Sequence, residues 1–413
     1  MTAVRLLHTA DLHLDSPLKS LALRDSGLRA EVETASRSAL TRMVDFALAE
    51  DVAALLIAGD LFDGAERSAK TAAFLLTQLD RLNEAGISVF YIRGNHDVEN
   101  PVSGAFEMPT NVHVFDGRGG SVQLEGTDIH IHGVSFRDRH APESLLPKFA
   151  GPVPGAVNIG MLHTSLSGAA GHDPYAPCTV PELQAHGFDY WALGHVHKRS
   201  VHADAPFVVM PGMPQGRDIG EAGPKSATLL TVTDGAISIE EVPTSAVEFR
   251  RSALDITGAD DAESLRAALR DHLRTEAAAT VSDTAILRLS LTGESPRAWQ
   301  IRRDLDVWQE AAEGFAEATG TLRIERLELD LTAPGAADAS DAVSELESLM
   351  AEIRREPGFR AEAQAELDRI LSLLPADRRR ALAADADALA ALADDLAARG
   401  ALAVAARMRG AHN

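Results

Sequence analysis

At 413 residues, 45% apolar and 24% charged, the chain has the composition of a soluble globular protein with room for two or more domains, and disorder is not the default reading. Lys and Arg total 39 against 61 Asp and Glu, a formal charge of −22, which argues against broad adhesion to nucleic acid, although a local basic patch and bound metal can reverse the field at one site. A single cysteine, Cys178, excludes an intramolecular disulfide, and with no span-length apolar stretch and no basic-plus-apolar leader a cytoplasmic protein is expected.

The first half alternates short apolar runs with helices. VRLLHTA, AALLIAG, SVFYIRG, VNIGML and YWALG each read as a buried strand, closed by Gly or a polar residue. Helices are predicted over residues 28–50 and 67–85, each linking one strand to the next. Closely spaced strands follow at 121–124, 128–133, 207–210, 227–233 and 236–242. A βαβαβ start that turns strand-rich predicts two packed sheets with helices outside.

After Val242-Pro243 the pattern becomes a compact α+β module: strand 249–256, helix 262–277, strand 284–291, helix 296–316 and strand 321–331. Pro334-Gly335 marks a second boundary, so the expected divisions are 1–243, 244–333 and 334–413. The tail reads as helices. Val343, Leu346, Met350 and Ile353 share one face of a helix that Ser340 or Asp341 would cap and Glu356-Pro357-Gly358 would end. That stripe either packs on the same chain or docks a partner.

Each of the five apolar runs in the first half is followed by a polar cluster. In order these are Asp11-Leu12-His13, Gly59-Asp60, Gly94-Asn95-His96-Asp97, His163 and Gly194-His195-Val196-His197. The carboxyl ends of strands are where open α/β sheets place ligands. Carboxylate, amide and imidazole donors without thiolates suit divalent manganese, iron or zinc. Asp11, His13, Asp60, Asn95, His163, His195 and His197 are too many ligands for one ion, which points to a two-metal hydrolytic site. Asp60, short and held at a strand end, suits the bridging position. His96 is placed between Asn95 and Asp97, and on extended backbone it points away from the metal, so it suits a general acid, with Asp97 orienting its other ring nitrogen.

Single fragments such as Asp-x-His or Gly-Asp are commonplace; five of them, each after an apolar strand, are specific. The order DxH, GD, GNHD, H and GHxH resembles the calcineurin-like metallophosphoesterases over residues 1–243. The segments LLHTADLHLDSP, AGDLFD, YIRGNHD, HDPYAPC, DYWALGHVHKR and PQGR are similar to the SbcD branch of DNA-repair nucleases, and within it to the YhaO-like proteins. That resemblance implies an α/β fold: a four-layer αββα sandwich with a small α+β capping domain and a helical C-terminal tail. It implies one manganese held by Asp11, His13, Asp60 and His197, a second held by Asp60, Asn95, His163 and His195, and His96 as the catalytic histidine. It also implies DNA as substrate, an SbcC-type SMC-like ATPase as partner, and a homodimer.

Residues near the clusters have competing readings. Asp15 and Asp63 either orient ligands or make turns; His8, inside the first strand, reads as a buried structural histidine. His172, Tyr175 and Cys178 are expected to shape the cleft rather than bind metal. Arg93, Arg137, Arg139, Lys198, Arg199 and Arg217 lie in loops near the motifs; about half should be solvated surface charge, with Arg93, Lys198, Arg199 and Arg217 the candidates for phosphate contacts. Met213 stands where the family leads one to expect a small polar residue, which argues against a substrate role there. The expected function is manganese-dependent hydrolysis of DNA phosphodiesters in double-strand-break repair. A phosphodiesterase acting on a small nucleotide and a non-catalytic scaffold are the alternatives; a scaffold should have lost ligands, and none is missing.

Overall fold

The computed structural model describes residues 3–16, 26–63, 68–99, 107–166, 175–332 and 342–410. They group into two compact units: Met1–Arg251 with Ala279–Ile286, and Ser252–Ala278 with Leu287–Asn413.

The first unit opens with β1 (Val4–Thr9), α1 (Ser26–Ala49), β2 (Ala54–Ala58), α2 (Ala69–Glu84), β3 (Ser88–Ile92), the single turn α3 (Asn95–Glu99) and β4 (Val112–Val114). It continues through β5 (Gly120–Gln123), β6 (Ile129–Gly133), β7 (Val157–His163), α4 (Val180–Ala185), β8 (Tyr190–Gly194), β9 (Ser200–Asp204) and β10 (Phe207–Met210), then returns with β11 (Ser226–Thr233) and β12 (Ala236–Pro243). Two six-stranded sheets result, ordered β12-β11-β1-β2-β3-β4 and β5-β6-β7-β8-β10-β9. β1 to β4 run parallel, as do β6, β7, β8 and β10.

Parallel strands covered on both faces need apolar side chains on both, which is why these segments read as unbroken apolar runs. Leu7, Leu55, Ile57 and Val89 face Leu40 and Met43 of α1 and Leu75 and Leu79 of α2. Their neighbours Leu6, Leu56 and Phe90 point the other way and meet Ile131, Ile159, Met161 and Tyr190 between the sheets. The far face of the second sheet, with Leu162, Trp191, Leu193 and Val208, is covered by Leu183 of α4 together with Phe149 and Phe188. The expected αββα sandwich is therefore present. Its fourth layer is thin: α4 and the 3-10 turn Leu146–Lys148 are the helical elements there among the described residues.

His8 sits fully buried in β1, as expected of a structural histidine. Its Nδ1 is 2.9 Å from the Tyr190 hydroxyl and its Nε2 3.0 Å from the Leu193 carbonyl, so the ring ties the first sheet to the second. Burial pushes its pKa down to about 3 from 6.5. The unfolded chain therefore binds a proton below pH 6.5 that the folded one refuses until about 3, and stability falls as pH drops through that window. Urea unfolding of metal-free protein should show about 1.4 kcal/mol lost per pH unit from this group. His8→Gln should flatten the slope by that amount, and an unchanged slope would contradict the account.

The second unit is built on β13 (Val247–Asp255), α5 (Ala262–Ala278), β14 (Thr284–Glu294), α6 (Ala298–Arg303), α7 (Leu305–Glu317) and β15 (Leu322–Thr332), with sheet order β13-β14-β15. The first residues of β13 and β14 group with the first unit. The single helix expected over 296–316 is two, broken at Asp304, which leaves helical geometry at φ −106° and ψ 33°. Aspartate is a weak helix-interior residue, and here its carboxylate is taken by Arg303 at 2.7 and 2.8 Å.

The tail forms α8 (Ala342–Ile353), α9 (Pro357–Leu371), α10 (Ala376–Leu382) and α11 (Ala386–Gly410). α8 ends just before Pro357, as expected; Pro334-Gly335, Ser340 and Asp341 lie outside the described residues. Helix α11 packs on α6 as well as on α8 and α9, so the tail folds onto the α+β module instead of standing as a third unit. Of the stripe on α8, Val343 is buried, Leu346 and Met350 are half-buried and Ile353 is exposed. No helix among the described residues is long and apolar enough to cross a membrane.

Candidate metal centre

The loops leaving β1, β2, β3, β7 and β8 converge. Beyond their strands the first two run side by side: Asp11 N–H donates to the Gly59 carbonyl (3.0 Å), His13 N–H to Asp60 (3.1 Å) and Leu14 N–H to Leu61 (3.1 Å). Turning the side chains inward takes backbone that L-residues seldom adopt. Asp11, His13, Asp60 and His195 have φ of 54°, 42°, 52° and 103°. Such conformations cost about 1–3 kcal/mol each and persist only where the surroundings impose them. Two glycines make room: a Cβ on Gly59 would stand 2.3 Å from His163 Nδ1, and one on Gly94 2.2 Å from Asp60 Oδ1.

Asp11, His13 and His197 bring ligand atoms within 4.8 Å of one another, as do Asp60, His163 and His195, and likewise His13, Asp60 and His96. Asp60 is central and buried: its Oδ2 is 3.4 Å from His163 Nε2 and 3.9 Å from His13 Nε2, while Oδ1 accepts the His96 N–H at 2.9 Å. Asn95 joins the second group through Oδ1, 3.1 Å from His163 Nε2. The Asp11 carboxylate accepts the His195 N–H at 3.0 and 3.1 Å.

The hydrogen bonds on the far side of the rings decide what the near side can hold. His163 Nδ1 donates to the Ala58 carbonyl (2.9 Å), and His197 Nδ1 donates to Glu221 Oε1 (2.7 Å). In their neutral forms both rings then carry the lone pair on Nε2. His163 Nε2 faces the Asn95 carbonyl oxygen, and His197 Nε2 faces His13 Nε2 at 3.2 Å. Lone pairs gathered in this way beside the Asp60 carboxylate are placed to hold a cation. The donor set fits divalent metal: carboxylate, amide and imidazole, with no thiolate.

The electrostatics agree. Burial pushes Asp11 up to about 6 and His13 down to about 3. Burial also works to raise Asp60, but the His163 imidazole outweighs it and holds the carboxyl far below its usual range. In the same pair, burial opposes charge on His163 while the Asp60 carboxylate lifts it up to about 9. Asp60 thus places negative charge among the surrounding imidazoles, where it favours positive charge.

Residues 4–199 match the calcineurin-like phosphoesterase family, and residues 249–332 match the middle domain of metallophosphoesterase YhaO. The chain is 37% identical to the uncharacterized metallophosphoesterase YhaO of Bacillus subtilis, over 77% of this chain and 78% of that one. The chain belongs to the calcineurin-like metallophosphoesterases. More distant similarity is to the DNA double-strand break repair protein Mre11 of Methanopyrus kandleri, 24% identical over 51% of this chain and 49% of the relative. A subunit of the SbcCD nuclease of Rhodobacter capsulatus is 32% identical over 33% of this chain and 32% of its own length. The family hydrolyses phosphoesters with divalent metal, and the chain is of that kind.

Within this metallophosphoesterase site, His96 occupies the first turn of α3, not the extended backbone expected for it. Asp97 does not take the orienting role: its carboxylate accepts the N–H groups of Phe62 (3.0 Å) and Gly94 (2.9 Å), pinning two of the converging loops, and burial raises it to about 6. The carboxylate beside the His96 ring is Asp63, with Oδ1 3.6 Å from Nδ1. Asp63 raises the His96 pKa above its ordinary value and is itself held by Ser16 Oγ at 2.8 Å. Asp15 grips Arg37 of α1 and Thr71 of α2, fixing the loop after β1 to both helices.

The basic residues are less available than their positions suggest. Arg199 is bound to Thr228 Oγ1 (2.5 Å) and Glu241 (3.3 Å), and Arg217 to Glu221 (2.8 Å). Lys198 is exposed, and Arg93 is half-buried with its Nε lacking a hydrogen-bond partner. Arg137 and Arg139 are exposed. Tyr175 packs its ring 5.0 Å from that of His195, Cys178 lies buried 3.5 Å from Thr164 Oγ1, and Met213 is buried; His172 lies outside the described residues. Glu221 belongs to none of the sequence motifs.

Proposed function

We infer that this metallophosphoesterase is a two-metal DNA nuclease that hydrolyses phosphodiester bonds in double-strand-break repair, with manganese in both positions. The observation that carries the hydrolytic part is the buried Asp60 carboxylate between two imidazole groups, with His96 beside it. Support for DNA comes from relatives named as a double-strand break repair protein and a nuclease subunit. The motif resemblance supports an SbcC-type SMC-like ATPase as the proposed partner and a homodimer as the proposed assembly, and the single cysteine is compatible with the cytoplasm as the proposed location.

Asp11, His13, Asp60 and His197 would hold one ion, and Asp60, Asn95, His163 and His195 the other. Together the ions would supply an activated water and charge neutralisation for the phosphoryl group. The chain's own contribution is positioning. The Ala58 carbonyl and Glu221 set the tautomers of His163 and His197; Asp97 clamps the loops bearing Asp60 and Asn95. His96, beside Asp63, which favours its protonated form, and partly open to solvent, would donate a proton to the departing alkoxide. Arg93, half-buried at the end of β3 and adjacent to Gly94-Asn95, is the proposed phosphate contact.

The formal charge of −22 and the commitment of Arg199 and Arg217 to carboxylates favour a second reading, a small phosphodiester or nucleotide as substrate. Purified protein with manganese should cleave labelled single- or double-stranded DNA with a higher kcat/KM than bis-p-nitrophenyl phosphate. The reverse preference would establish the small-substrate reading and reject DNA.

A further inference from the structure

Glu221 belongs to the 3-10 turn Ile219–Glu221, in the stretch between β10 and β11, and is outside the ligand set. Its Oε1 accepts from His197 Nδ1 at 2.7 Å. Arg217 grips the same carboxylate from the other side: Nη2 reaches Oε1 at 2.8 Å, and the Arg217 N–H and Nε reach Oε2 at 2.8 and 3.3 Å. Arg217 Nη2 also stands 3.1 Å from His197 Nδ1. One ring nitrogen cannot both donate to a carboxylate and accept from a guanidinium. The shorter, charge-assisted contact to Glu221 decides that Nδ1 carries the hydrogen.

The carboxylate is fixed from behind as well. Ile219 packs with Val32, Ala35, Val247, Phe249 and Ile286. Gln215 Nε2 donates to the Val247 carbonyl at 2.6 Å, and its Oε1 accepts the Ala246 N–H at 2.9 Å. Met213 N–H holds the His197 carbonyl at 3.2 Å. His197 is thereby held at main chain and ring by a single loop, with Nε2 aimed at His13 Nε2. The counterpart in the other ligand group differs in kind, because His163 Nδ1 is set by a main-chain carbonyl, that of Ala58.

We propose that Glu221, clamped by Arg217, is the positioning residue for the Asp11–His13–His197 metal position and sets its affinity independently of the Asp60–His163–His195 position. This rests on the assignment of these residues as metal ligands. A carboxylate behind a ligating histidine fixes its orientation and strengthens it as a donor, and its loss weakens metal binding about 10–100-fold.

Manganese titration of the full chain, followed by calorimetry and by the paramagnetic resonance of free ion, reads both positions without any substrate. Wild type should bind two ions. Glu221→Ala should bind one of them about 10–100-fold more weakly and leave the other unchanged. Glu221→Gln, whose amide oxygen still accepts from Nδ1, should fall between Glu221→Ala and wild type, and it carries the comparison if the alanine variant does not fold. Unchanged affinity in the folded variants, equal weakening of both ions, or a glutamine variant no better than alanine overturns the proposal. Wild type that binds no manganese overturns instead the ligand assignment beneath it.

Discussion

Replacing His96 with alanine is expected to lower kcat on DNA by about 10²–10⁴-fold, the usual contribution of a general acid, with two manganese ions still bound. The ring lies beside Asp63, is 34% exposed, and is placed by α3 next to the candidate ligands. Its main-chain N–H, not its side chain, supports Asp60, so truncation leaves that hydrogen bond intact. A proton donor matters in proportion to the basicity of the leaving group. An alkoxide leaving from DNA needs the proton, whereas p-nitrophenolate is stable enough to leave without it. The alanine variant should therefore lose far less activity on bis-p-nitrophenyl phosphate than on DNA. Equal losses on the two substrates would rule out a general-acid role, and loss of a bound ion would make His96 a ligand. Asp63→Asn should give a weaker form of the same pattern, since the ring loses the neighbouring carboxylate that raises its pKa.

The parts of this site that are legible in the sequence are those fixed by strand ends. AALLIAG and YWALG are covered on both faces, so they read as apolar runs, and the polar residues that follow at Asp60, His195 and His197 stand out against them. All seven ligand candidates come together for that reason. What stays hidden depends on contacts distant in sequence or on elements too short to show a period. Glu221 meets His197 from 24 residues away in a loop without periodicity, and nothing local distinguishes it from other surface acids. The Asn95–Glu99 turn is too short to register as helical, so the sequence alone turns Asp97 toward His96, whereas it pins Phe62 and Gly94. Charge type can be read at Arg199 and Arg217 but not their carboxylate partners. The fold shows the same division: the αββα order follows from patterning, whereas the break at Asp304 and the docking of α11 on α6 depend on tertiary contacts.

Asp60→Asn should abolish two-metal binding and, with it, turnover on every substrate. Asp60 is the proposed shared ligand of the two groups, standing 3.4 Å from His163 and 3.9 Å from His13. Asparagine tolerates left-handed backbone at least as well as aspartate, so the φ of 52° poses no obstacle, and its amide oxygen can still accept the His96 N–H. The fold should survive the change, and what is lost is the negative charge between two cations. Each ion bound at 100 times its dissociation constant adds about 2.7 kcal/mol to stability, so two ions add about 5 kcal/mol to the wild type. Most of that increment should vanish in Asp60→Asn, visible as a melting temperature that hardly responds to manganese. Asn95→Ala provides the contrast, because Asn95 faces His163 alone and its loss should weaken one ion while the other still stabilises the fold. If Asp60→Asn bound two ions near wild-type affinity, the bridging assignment would be wrong, and His13, Asp60 and His96 would have to be reconsidered as a ligand group of their own.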